Sequence, residues 1–131
     1  MQITRQTEYA IKTMLELAKN KEEGYLSTKH ISKQQQIPED FLKKTIKLLA
    51  LADLVVTQRG ANGGVKLNRS ADDINLVEVI EAIEGPIALN VCLAPGYNCP
   101  NQPSCPISKA FGKAQMAMLG VLEKQTLTNM L

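Results

Sequence analysis

Residues 27–67 read STKHISKQQQIPEDFLKKTIKLLALADLVVTQRGANGGVKL, and this stretch decides the fold. Ser27 is placed to cap a short helix from Thr28 to about Gln35. Ile37-Pro38 then breaks the pattern, and the proline suits the first turn of a further helix, about Glu39 to Ala52. That helix is predicted to have two faces. Phe41, Leu42, Thr45, Leu48, Leu49 and Ala52 make the apolar one, and Asp40, Lys43, Lys44 and Lys47 follow helical spacing on the other. Leu54-Val55-Val56-Thr57 is β-branched and reads as a strand, and Val65-Lys66-Leu67 as its return. Between them lies the glycine-rich turn Gln58-Arg59-Gly60-Ala61-Asn62-Gly63-Gly64. Asn62-Gly63 is expected at the centre of a tight turn, because both residue types tolerate positive φ. Two helices joined by a short turn and followed at once by a hairpin make a winged helix-turn-helix.

Outward from this stretch, Ile11, Met14, Leu15 and Ala18 mark the buried face of a helix over 4–19. Lys12, Glu16 and Lys19 are expected on its polar side, and Asn20 to Gly24 ends it. On the C-terminal side, Asn75 with Glu78 makes a capping-box start for a helix to Glu84, buried through Leu76, Ile80 and Ile83, and Gly85-Pro86 stops it. Residues 87–105 are irregular, with Pro95, Gly96, Asn98, Pro100, Asn101, Pro103 and Ser104. A loop that long is usually functional. Pro106 opens a last helix to about Lys124, striped by Ile107, Ala110, Phe111, Ala114, Met118, Leu119 and Leu122. The expected fold is mainly α with a small β-hairpin, a winged helix-turn-helix with a long C-terminal dimerisation helix. Its expected parts are a DNA-binding domain over 1–85, a cysteine loop over 86–106, and a dimerisation helix with a tail over 107–131.

The charge distribution supports a polyanionic partner. Residues 1–70 carry twelve Lys and Arg against seven Asp and Glu, a net +5, while residues 71–131 carry three against six, a net −3. A basic first half suits double-stranded DNA, and the second half does not. The expected contacts are Thr28, Lys29, Asp40, Lys43, Lys44 and Lys47 on the helices, with Arg59, Asn62 and Gly63 in the wing. Arg59 is suited to a minor groove or a phosphate. A nucleotide loop is not expected, since the Lys-Ser/Thr of a phosphate loop and its strand-then-helix setting are both missing. No apolar run approaches the ~20 residues that cross a bilayer. The N-terminus MQITRQTEYA lacks the apolar core of a signal peptide, so a cytoplasmic location is expected.

All three cysteines fall in the irregular loop: Cys92, Cys99 and Cys105, spaced C-x6-C-x5-C. An odd count, in a chain read as cytoplasmic, argues against a disulfide framework. Thiolates on a pliable loop are the usual ligands of iron–sulfur clusters. Metal-free thiol chemistry remains open, and so does zinc, although zinc favours a C-x2-C pair and a fourth Cys or His. An enzyme is not expected: His30 is the one histidine, read as a surface or capping residue, and no nucleophile–base pair surrounds it.

These residues together resemble the winged-helix iron–sulfur transcription regulators of the IscR/NsrR type. The resemblance runs nearly end to end, through I-T-R-Q-T-E-Y-A-I, I-P-E-D-F-L-x-K, R-G-A-N-G-G, I-N-L-V-E-V-I-E-A-I-E-G and the cysteine loop. It implies a homodimer on a near-palindromic operator, usually as a repressor, with the recognition helix in the major groove and the wing in the minor groove. It also implies a redox-, nitric-oxide- or cluster-supply sensor. The IscR type has a histidine three residues after the last cysteine, where this chain has Ser108. The NsrR type uses a first-helix aspartate of the other subunit, and Glu8 matches that position. A further branch binds [2Fe–2S] through a first-helix glutamate and histidine, and Lys12 stands at the latter place. The resemblance therefore implies a [4Fe–4S] cluster, rather than [2Fe–2S], on Cys92, Cys99, Cys105 and Glu8. Rival readings are a cluster-free thiol-responsive regulator, or a module that binds a cysteine-biosynthesis or iron–sulfur assembly enzyme.

Overall fold

Thr4 starts the first helix, its hydroxyl accepting the backbone N–H of Thr7 at 3.2 Å. In the computed structural model, which describes residues 2–101 and 104–131, α1 runs Arg5–Lys19, α2 Thr28–Gln35 and α3 Glu39–Leu51. The hairpin follows as β1 Val55–Gln58 and β2 Gly64–Leu67, then α4 Leu76–Glu84 and α5 Pro106–Glu123. Pro103, read above as part of the irregular loop, lies outside the described residues. The local start signals act as expected. Ser27 accepts from the N–H of His30 at 3.1 Å, and Asn75 with Glu78 forms a complete capping box. Pro38 stands at the N-cap of α3 rather than in its first turn.

Met14 and Leu17 of α1, Ile31 of α2, Leu42 and Leu49 of α3, Val65 of β2 and Val79 of α4 share one buried core. Leu127, beyond α5, is fully buried in the same core. It is drawn there by its N–H donating to the carbonyl of Ile74 at 3.0 Å.

Three expectations need correction. First, the buried face of α3 is Leu42, Thr45, Ile46 and Leu49, while Phe41 and Ala52 are exposed and Leu48 is half-buried. That set keeps strict i, i+3, i+4, i+7 spacing, so α3 sits rotated toward Ile46. Second, Glu16 is buried rather than on a polar face. Asn20 Nδ2 donates to its Oε2 at 2.7 Å and Gln35 Nε2 to its Oε1 at 2.8 Å, which satisfies the carboxylate and ties α1 to the end of α2. His30 Nε2 lies 3.5 Å from the same carboxylate, so His30 is more than a capping residue. Third, the wing turn is centred on Ala61 and Asn62, closed by Gly63 N–H to the Gly60 carbonyl at 3.0 Å. The positive φ angles fall on Gly60 and Gly64, not on Asn62-Gly63.

Gly64 fixes the wing. Its φ is +148°, and a Cβ there would overlap the Leu26 carbonyl. The close approach arises because Leu26 and Val65 exchange both backbone hydrogen bonds, at 2.9 and 2.8 Å. The strand that returns from the wing is thus pinned to the residue just before the α2 cap.

Candidate nucleic-acid interface and cysteine loop

On α3, Asp40, Lys43, Lys44 and Lys47 are all exposed. Among the described residues, no ion pair neutralises these lysines, Lys29 or Arg59. Uncompensated cations on a single helix face are what a polyanion needs. Thr28 and Gly63 line one notch of about 310 Å³ between the start of α2 and the base of the wing, together with Ser27, Gln58 and Ile46. Asn62 borders an adjoining hollow with Ser27 and His30. Turn glycines and helix-start hydroxyls therefore meet at a single seam. Arg59 stands exposed just beyond β1. No helix among the described residues is long and apolar enough to cross a membrane.

The cysteines lie apart from this seam. Cys92 is in a short 3₁₀ turn, Val91–Leu93, with Asn90 Nδ2 directed at its Sγ at 3.4 Å. Cys99 is in the loop, and Cys105 is the N-cap residue of α5. All three are half-buried, and no disulfide joins them. Among the described residues, no three Cys, His, Asp or Glu side chains converge as a metal site. Glu8 lies on α1, 49% exposed, between Arg5 at 3.7 Å and Lys12 at 3.5 Å. Glu8 therefore forms no three-ligand group with the cysteines among the described residues, and its carboxylate is half exposed. The donor set suits an iron–sulfur cluster, with three soft thiols in one loop and one accessible carboxylate.

A helix-turn-helix with a paired wing and an open lysine face defines a winged-helix DNA-binding regulator. The chain belongs to the Rrf2 family of iron-dependent transcriptional regulators, whose model matches residues 3–131. It is 32% identical to the transcriptional regulator NsrR of Oceanobacillus iheyensis, over 100% of this chain and 90% of the relative. It is 30% identical to NsrR of Bacillus subtilis, over 99% and 90%. Among solved structures, CymR, the global cysteine regulator of B. subtilis, is similar with a TM-score of 0.83 at 29% identity, covering 99% of this chain and 95% of that one. T. potens IscR is similar with a TM-score of 0.79 at 27% identity, covering 99% and 85%. The chain is accordingly a transcription regulator and not an enzyme.

Two features escaped the sequence reading, the buried Glu16 cluster and the exposed Phe41. Both depend on how α1, α2 and α3 pack, which helical periodicity does not encode.

Proposed function

We propose that this regulator is a cytoplasmic homodimeric repressor that senses redox state, nitric oxide or iron–sulfur supply through a [4Fe–4S] cluster. The ligands are Cys92, Cys99 and Cys105 of one subunit and Glu8 of the other. The observation that carries the reading is the exposed Glu8 carboxylate on α1, in a chain whose three thiols share one loop. When bound, the cluster supplies a redox- and nitric-oxide-reactive centre whose carboxylate ligand is harder and more weakly held than thiolate. The chain's own residues do the coupling: Cys105 starts α5 and Glu8 belongs to α1, so one ligand set ties the cysteine loop of one subunit to the winged unit of its partner. Half-sites one helical turn apart demand a fixed spacing of the two α3 helices, so a change in that tie alters operator affinity.

The surface of α5 supports the dimer. None of its 18 residues is buried, and Ile107, Phe111, Met116 and Val121 are exposed. An apolar helix about 27 Å long fits a second copy of itself better than solvent.

The functional test is enrichment of duplexes from a random-sequence pool by anaerobically purified protein, with and without iron and sulfide. The expected result is a near-palindromic site whose affinity differs between the two forms. Failure to enrich any duplex would overturn operator binding, and equal affinity in both forms would overturn cluster sensing. A cluster-free thiol-responsive regulator is the second reading, favoured by the TM-scores of 0.83 and 0.76 to CymR structures, one of them an oxidized form. In that case hydrogen peroxide, with no metal added, changes the affinity.

A further inference from the structure

A notch of about 330 Å³ opens between the start of α1 and the recognition helix α3, lined by Arg5, Gln6, Tyr9, Phe41 and Lys44. Two of its lining residues are aromatic. The Tyr9 and Phe41 rings lie 6.2 Å apart at 55°, and Phe41 stays 52% exposed although Leu42 beside it is fully buried. Two more are cationic, Arg5 from α1 and Lys44 from α3, and among the described residues no acidic side chain lines it. Arg5 has one anionic partner among the described residues, Glu8 at 3.7 Å, and both side chains are largely exposed. The pair therefore holds Arg5 weakly.

Two cations and two aromatic rings lining one notch suit a phosphodiester with its sugar attached. A guanidinium and an ammonium take phosphate oxygens, and an aromatic face takes the apolar side of a deoxyribose. The notch is continuous with the lysine face of α3 through Lys44, which belongs to both. We propose that it is a second DNA-contact subsite, holding one operator phosphate between Arg5 and Lys44 with the adjoining deoxyribose against Phe41. The proposal rests on the DNA-binding reading above and extends the interface onto α1. It also gives Arg5 two competing anions, the DNA phosphate and Glu8. Neutralising Glu8 then releases Arg5 toward DNA without any metal being present.

The test is fluorescence anisotropy on a duplex of about 30 base pairs enriched by the protein from a random-sequence pool, long enough for two half-sites. Binding is titrated with salt for the wild-type protein, Arg5→Gln, Arg5→Lys, Phe41→Leu, Glu8→Gln and Lys43→Ala, each checked for an unchanged dichroism spectrum. Arg5→Gln, which removes one phosphate contact from each half-site, is expected to weaken binding about three- to ten-fold and to lower the magnitude of the log–log salt slope by about 1.8, and Arg5→Lys to restore the slope. Phe41→Leu is expected to weaken binding with the slope unchanged. Metal-free Glu8→Gln is expected to bind up to about five-fold more tightly than the wild type, the upper end of what an exposed ion pair contributes. A series of duplexes, each with a symmetry-related pair of neutral methylphosphonates, one per half-site, is expected to contain a position at which Arg5→Gln and the wild type bind alike. If the wild type binds and Lys43→Ala weakens it, but Arg5→Gln leaves affinity and slope unchanged, the notch is not a DNA subsite and the DNA-binding reading stands. If the wild type enriches and binds no duplex, that reading fails and the subsite with it.

Discussion

The winged unit and the helix that follows the cysteine loop dispose of their apolar residues in opposite ways. From α1 to α4 the buried positions interlock: Met14, Leu42, Leu49, Val65 and Val79 all lie at or near zero exposure. In α5 nothing is buried, and Met116 is 76% exposed. The helix α5 rests on α4 and on the Val91–Leu93 turn and leaves apolar side chains open, whereas the winged unit closes its core, with Leu127 from beyond α5 as part of it. The comparison also separates function. The cations proposed to meet DNA stand on the half with the closed core, and the thiols stand in the loop that leads into α5.

Substitutions should split along the same line. Leu49→Ala in the closed core is expected to cost about 2–5 kcal/mol, read as a lower urea midpoint at unchanged slope. A cost under about 1 kcal/mol would show that the core around α3 is looser than its burial implies. Asn75→Ala removes half of the α4 capping box and should cost about 1 kcal/mol by the same assay. Met116→Glu on α5 should change the stability of dilute monomer by no more than about 0.5 kcal/mol. Sedimentation velocity should nevertheless show it monomeric where the wild type is a dimer. A dimer that survives Met116→Glu and Phe111→Glu together would place the second copy elsewhere. On the lysine face of α3, Lys43→Ala should leave stability unchanged and lower the magnitude of the salt slope of the dimer by about 1.8, about 0.9 for each subunit.

Much of the winged unit was legible because its signals are local. A cap such as Ser27 or Asn75 acts within three residues of itself, and the helices began where those residues stand. The turn was legible only in outline. Pairing of Val65 with Leu26 from outside the hairpin moved the positive φ to Gly64, which neighbouring residues do not announce. Glu16 and Phe41 were misread for a related reason. Helix spacing offers two overlapping apolar faces on α3, and contact with α1 and α4 selects the one containing Ile46. At the cysteine loop the sequence shows donor types and spacing, but the proposed convergence on Glu8 involves a second chain, and neither sequence nor single-chain geometry contains one.

The most direct test of the account is an anaerobic ultraviolet–visible spectrum with iron and sulfide analysis, on the wild type, Cys99→Ala and Glu8→Ala. The account predicts broad visible absorption with iron and sulfide in equal amounts for the wild type, bleached by nitric oxide. It predicts none for Cys99→Ala, and for Glu8→Ala a cluster that forms but decays faster while the dimer persists. A colourless, metal-free wild-type dimer after anaerobic purification and reconstitution would contradict it and leave Cys92, Cys99 and Cys105 to metal-free thiol chemistry.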